Sequence, residues 1–379
     1  MVALKKCSIN YVIGLISIIT VCIYLGMSIG FPPDPMLRSV DQHRKDITDN
    51  VYPLKGLNLK DKANESNFYG YLTAPIGDVF EYCKMALGKE SYPPYQLRPL
   101  IPKLIGFTYK VLFPNAQTNP HDKLIKHEEY VRLTYISMGL NICFLMGICF
   151  LAYRLRPHHN TLSVLILSLT LINPAIIGYT SFFLLDIATL FIFALSAFAY
   201  FKDKLWLLVL VASTGIAVKE TCIILLIPIF FLLLKKKSKN VLYLILPILV
   251  FLSIRYIYKT DLLSIQYSWN VSKGDIRLTY ILESLGTPYL AIRSLCITLF
   301  SIGPVSTMAF LSFKKSKKSF DFWTCTFLTI AIFFASSMLA SPTSRTLLPI
   351  IPFLTFYAAH VLSNEKKEID SENKAMSKA

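Results

Sequence analysis

The sequence predicts an all-α membrane protein of about ten transmembrane helices, with a large first extracytoplasmic loop that contains short interfacial helices. Three observations predict it. Apolar residues make up 54% of the 379 positions and mean hydropathy is +0.51. Only 16% of residues are charged, against roughly 25% in a soluble domain. The Lys and Arg residues behind the formal charge of +16 sit in short clusters between long apolar runs, as topology signals do. That placement argues against a nucleic-acid partner and for membrane lipids.

The first apolar run covers residues 9–29 behind Lys5 and Lys6. It is long enough to span a bilayer and has no small-residue cleavage site after it, so a retained signal anchor is expected. A loop at 31–130 follows, and further runs fall at 131–153, 161–179, 182–201, 205–218, 221–234, 241–258, 289–313, 320–340 and 346–362. Residues 1–362 thus read as one polytopic membrane domain, and 363–379 as a charged cytoplasmic tail.

The runs at 205–218 and 221–234 are each 14 residues long, short of the roughly 20 that a lone transmembrane helix needs. They are therefore either one long tilted helix or a hairpin. Charge decides, because Lys and Arg accumulate in cytoplasmic loops. With a hairpin, one side collects Lys5, Lys6, Arg154, Arg156, Lys202, Lys204, the Lys235–Lys239 cluster, the Lys314–Lys318 cluster and the basic tail. A single helix would put Lys202 and Lys235 on opposite sides and invert every later loop. The hairpin is the prediction, with both termini cytoplasmic and a bacterial inner membrane as the expected location.

The outer side then receives the loop at 31–130 and a shorter one at 259–288, where the sequons at Asn64 and Asn270 fall. In the first loop, Asp78-Val79-Phe80-Glu81 has the form of a capping box opening a helix that stops at Gly88. Arg98-Pro99 opens a second helix, in which Leu100, Leu104, Phe107 and Val111 form an apolar stripe suited to lying along a membrane surface. Cys22, Cys143, Cys149, Cys222, Cys296 and Cys325 lie inside apolar runs, Cys7 precedes the first, and Cys83 stands alone in the long loop, so no disulfide framework is expected.

Ionisable residues at or just inside the outer membrane level are the candidate site. An intramembrane charge costs a few kcal/mol on insertion scales and tends to be paired or functional. Asp186 lies just inside one run, Lys219-Glu220 forms the apex of the hairpin, and Arg255 and Arg345 flank other runs at the same level. Pairing of Asp186 with Lys219 would simply lock helices together. Charged groups at four positions of one depth point instead to a pocket for a lipid phosphate. Asp78 either caps its helix or serves chemistry, with Glu81 one turn on as a supporting group, while Arg98 follows a rigid Tyr92-Pro93-Pro94-Tyr95 bracket. His121 and His127 beside Asp122, Glu128 and Glu129 fit no metal spacing.

Gly77-Asp78 with Tyr82 and Ala86, then Pro93-Pro94, Arg98-Pro99-Leu100 and Pro102, all in a large loop after the first run, resemble the luminal loop of GT-C type glycosyltransferases. Asp186, Lys219-Glu220 at a hairpin apex, and Ser344-Arg345 with Pro349 and Pro352 extend the resemblance. It implies a polyprenyl-phosphate-linked sugar donor, a glycan, lipid or protein acceptor, and inverting transfer. On that analogy Asp78 is the general base, while Lys219, Arg345 and Arg98 hold the donor phosphate. Many such enzymes carry their catalytic acid close behind the first span, which keeps Asp34 in Phe31-Pro32-Pro33-Asp34 as a rival base. Some relatives of this type require a divalent metal, and the residues here leave that cofactor open. A transporter or flippase of lipid-linked saccharides would use the same cations without needing Asp78, and a glycan polymerase is a third reading.

Overall fold

The computed structural model describes residues 77–89, 91, 95–116, 127–155, 185–238, 240–258, 319–339, 347–358 and 360–361. The described residues are helical throughout their regular elements, with no strand among them. In chain order these are α1 (Gly77–Ala86), a 3-10 turn (Tyr95–Leu97), α2 (Leu100–Leu112), α3 (His127–Leu155), α4 (Asp186–Phe201), α5 (Leu205–Val218), a 3-10 segment (Glu220–Leu225), α6 (Leu226–Lys235), α7 (Leu242–Ile257), α8 (Phe320–Leu339) and a final 3-10 turn (Leu348–Ile350) running into helical residues 351–358. The expected runs at 9–29, 161–179 and 289–313, the tail, and the sequons at Asn64 and Asn270 lie outside the described residues.

α4 is the central helix. It is apolar on every side, as a helix surrounded by others must be, and nearly all its residues are buried, with Leu190, Ala194, Ala197 and Tyr200 fully enclosed. α3 and α5 pack on it, and α7 packs outside α5. Two glycines set close approaches. A Cβ on Gly147 of α3 would stand 2.6 Å from the Phe191 ring of α4, and one on Gly215 of α5 would stand 2.7 Å from Ile192.

The periphery is apolar too. Leu242 (67% exposed), Ile245, Leu246, Leu249 and Leu252 of α7 face outward, as do Met146 and Phe150 of α3, Leu210 of α5 and Ile330 of α8. Contiguous apolar surface of this kind is uncommon on a water-soluble monomer. Among the described residues one helix segment, Glu129–Ala152 within α3, is long and apolar enough to cross a membrane by length and composition.

The hairpin expected at Lys219 is present. α5 ends there because Lys219 is extended (φ −156°, ψ 127°), and a 3-10 turn at Glu220–Leu225 starts the return. The reversal is fixed at the far end. Lys235 Nζ lies 3.1 Å from Asp203 Oδ1, and Lys236 Nζ donates to the Asp203 carbonyl, which returns α6 to the start of α5. Asp203 occupies the left-handed region (φ 53°), which a short-side-chain Asp tolerates in the tight α4–α5 turn.

The bundle thus has two polar ends, separated by the 16 residues of α4, or about 24 Å at the helical rise. At one end Asp321 of α8 accepts from Tyr200 (3.1 Å) and Lys235 (3.3 Å), and His360 Nε2 stands 3.7 Å from its other oxygen. Thr324 meets the Tyr200 hydroxyl at 2.8 Å. The other end carries Asp186, Lys219 and Glu220, and α1 and α2 are joined to it.

Candidate functional site: a charged joint at the hairpin apex

α1 and α2 pack on each other and on α3. Gly106 of α2 sits against the α1 backbone so closely that a Cβ there would be 2.0 Å from the Ala86 carbonyl oxygen, a contact open only to glycine. Val79, Tyr82, Cys83, Ile105 and Tyr109 fill the seam. Gly88 (φ +75°) ends the turn after α1, where the sequence places a helix stop. Pro99 directly precedes α2, also as expected. The outer face of α2 is apolar, with Leu100, Leu104, Phe107 (67%) and Val111 (61%) exposed alongside Lys103 and Lys110.

The helix expected here is present as α1, with Asp78 on it and its end before Gly88; the residues before Gly77, which decide the cap, lie outside the described residues. Glu81 is fully buried; Lys84 donates to one of its oxygens at 2.7 Å and Ser91 to the other at 2.8 Å. Its carboxylate therefore ties α1 to the segment that follows it. Asp78 is assigned only by its backbone position in the first turn of α1, and the reading made of its side chain lies outside the described residues, as do Asp34 and Arg345.

Arg98 joins this loop unit to the bundle. Its Nε donates to Glu220 Oε2 at 2.7 Å and one Nη to Oε1 at 2.6 Å, the bidentate fork that a planar guanidinium makes with a carboxylate. Its other Nη donates to the Tyr82 hydroxyl at 2.7 Å. Tyr82 is held edge-on by Tyr95 at 5.5 Å, and the Arg98 head lies over the Tyr95 ring at 5.8 Å. The pair is almost dry, with 4% of the Arg98 side chain and 12% of the Glu220 side chain exposed.

Beside it, Lys219 Nζ lies 3.1 Å from Asp186 Oδ1 at the first turn of α4, with 16% and 2% of the two side chains exposed. Asp186 suits that place because a carboxylate is favoured at the positive end of a helix dipole. Arg255 is buried at the end of α7, its guanidinium 4.8 Å from the Phe251 ring, and that end of α7 approaches the 3-10 segment. The site thus gathers Arg98, Lys219, Glu220 and Asp186 from three separate stretches of chain. Arg98 is matched by Glu220 and Lys219 by Asp186.

On α1, Cys83 has its thiol pKa raised well above the ordinary value by burial, with a second contribution from the negative charge of Glu129. It is a packing residue. Among the described residues no three His, Cys, Asp or Glu side chains are grouped as a metal site.

No protein-family model, curated protein or solved structure matches this chain. The resemblance to GT-C type enzymes therefore stands on the residues quoted for it.

Two groups escaped the sequence reading. Tyr82 appeared only as part of a motif, and nothing local marks its hydroxyl as the third partner of Arg98. The Tyr200, Lys235, Asp321 and His360 network at the opposite end also escaped. Its available signal was an acid at the start of one apolar run and a histidine near the end of the next, both at the level of the lysine cluster.

Proposed function

We propose that this chain is an integral-membrane glycosyltransferase of about ten spans, which moves a sugar from a polyprenyl-phosphate donor to an acceptor on the extracytoplasmic side. Both termini lie in the cytoplasm, and the membrane is a bacterial inner membrane. The observation that carries the reading is the Arg98–Glu220 joint. It brings the loop unit, with Asp78 in the first turn of α1, against the hairpin apex where Lys219 and Asp186 meet. The apolar periphery supports the bilayer, and the shared end of Lys202, Lys204 and Lys235 supports the orientation.

In the proposed reaction Asp78, or Asp34 in its place, takes the proton from an acceptor hydroxyl. The acceptor oxygen attacks the anomeric carbon, the bond to the phosphate oxygen breaks with its electron pair, and polyprenyl phosphate departs with inversion at carbon. Lys219 and Arg345 neutralise that phosphate. Lys219 makes one contact with Asp186 and has three ammonium donors, so it can meet a phosphate without leaving its carboxylate. Arg98 spends its fork on Glu220 and Tyr82, which supports a positioning role for it.

The test is transfer by the solubilised full-length protein from radiolabelled polyprenyl-phosphate sugars to a crude acceptor extract, comparing wild type with Asp78→Asn. Label transferred by wild type and lost in the mutant supports the reading and its base. Equal transfer by both moves the base to Asp34. Absence of transfer combined with movement of lipid-linked sugar across a proteoliposome membrane replaces the enzyme by a transporter.

A further inference from the structure

At the lysine-bearing end, the outer faces of α5 and α7 enclose a groove of about 580 Å³, within the roughly 300–1,000 Å³ of small-ligand pockets. Its wall is almost wholly apolar, with Trp206, Leu210, Leu242, Leu246 and Leu249 beside Asn240 and Tyr243. Trp206 is 63% exposed, and it stands one helical turn or less from the basic rim. Lys204 is two residues before it, and Lys236 is drawn to the same corner by its bond to the Asp203 carbonyl. Lys237 turns the chain from α6 towards α7 in a left-handed conformation (φ 51°). Lys202, Lys204, Lys236 and Lys237 are all exposed. Two acids reach this corner among the described residues, Asp203 and Asp321, and both are engaged by Lys235, at 3.1 and 3.3 Å.

An apolar groove, two aromatic residues, Trp206 and Tyr243, in its lining and excess positive charge beside it match one chemistry. We propose that the α5–α7 groove binds an anionic glycerophospholipid of the cytoplasmic leaflet, with an acyl chain along the groove and the headgroup phosphate on Lys204 and Lys237. Interfacial Trp and Tyr favour the headgroup level. Lysines near an anionic surface each contribute roughly a fivefold preference. The groove follows α5 from Trp206 to Leu210 and so ends nine residues, about 13 Å at the helical rise, before Lys219; its basic rim lies at the opposite end of the bundle from the charged joint, so the headgroup it would hold is separate from the proposed donor phosphate. The proposal rests on the membrane-spanning reading above, and the experiment separates the two.

The chain has three tryptophans, Trp206, Trp269 and Trp323. A full-length Trp269→Phe/Trp323→Phe variant, in nanodiscs of graded composition, reports Trp206 alone. Quenching by dibrominated phosphatidylglycerol is compared with quenching by dibrominated phosphatidylcholine, before and after Lys204→Gln/Lys237→Gln. The expected result is half-maximal quenching at a several-fold lower mole fraction of the anionic lipid. The lysine substitutions and high salt should erase that preference while zwitterionic quenching persists. Equal quenching by both lipids overturns the proposal and leaves the spanning reading intact. No quenching by either overturns the groove, and the same silence from a variant that keeps only Trp323 overturns the spanning reading with it.

Discussion

Removing the Glu220 carboxylate is the sharpest perturbation of the charged joint. Glu220→Ala strips the Arg98 fork of both its acceptors, at 2.6 and 2.7 Å, and leaves a guanidinium that is 96% covered with only the Tyr82 hydroxyl of these three bonds. Breaking one partner of such a buried pair costs about 3–5 kcal/mol, chiefly because the surviving charge stays dry. Replacing both sides removes that penalty. Arg98→Met/Glu220→Leu should therefore lose much less than the sum of its single substitutions, with a coupling of about 2 kcal/mol or more against the roughly 0.5 kcal/mol expected of independent sites. Unfolding by graded denaturing detergent, followed by far-UV circular dichroism on the four proteins of the cycle, measures it. Additive losses would refute the reasoning and reduce the joint to a coincidence of geometry. Arg98→Lys is a useful fifth protein, since a point charge cannot reproduce the fork and should recover only part of the loss.

Lys219→Ala leaves the Asp186 carboxylate, 2% exposed, without its ammonium. Stability should fall by a few kcal/mol, and adding Asp186→Asn should restore much of it but not sugar transfer; transfer restored together with stability would make Lys219 purely structural. Gly106→Val must open the α1–α2 seam, where even a Cβ comes within 2.0 Å of a backbone oxygen. The expected sign is faster proteolytic cutting between residues 77 and 116, and unchanged proteolysis would show that the seam opens freely. Cys83 should resist iodoacetamide at pH 8 in the folded protein and react only after denaturation, as read by peptide mass. Its folded pKa is raised, so the unfolded thiol loses its proton first, near the ordinary ~8.5. The contribution of Cys83 to stability is thus complete below that pH and declines as pH rises further.

What was legible in the sequence was what short-range chemistry fixes. Pro99 and Gly88 bound α2 and α1 because each restricts or frees its own backbone. The hairpin followed from lysines that had to share a side, and Lys235 and Lys236 do reach Asp203. The Asp-x-x-Glu pattern placed a helix where α1 lies, but it could not show that the Glu81 carboxylate also accepts from Lys84 and Ser91, because Ser91 is brought back only by the turn after the helix. The Arg98–Glu220 joint was beyond reach, since both residues could be named as candidates but nothing at either position encodes a partner 122 residues away. The Asp321 network was hidden in the same way, its members coming from α4, α6, α8 and the last helical segment.

That separation of 122 residues also sets a timetable for biosynthesis. At about 5–20 residues per second, the ribosome adds Glu220 roughly 6–24 s after Arg98. Throughout that interval the nascent α1–α2 unit carries an arginine whose carboxylate partner, Glu220, does not yet exist. A quality-control protease that recognises loose loops has its opening then, so Glu220 variants should be depleted in cells even where the purified survivors remain folded.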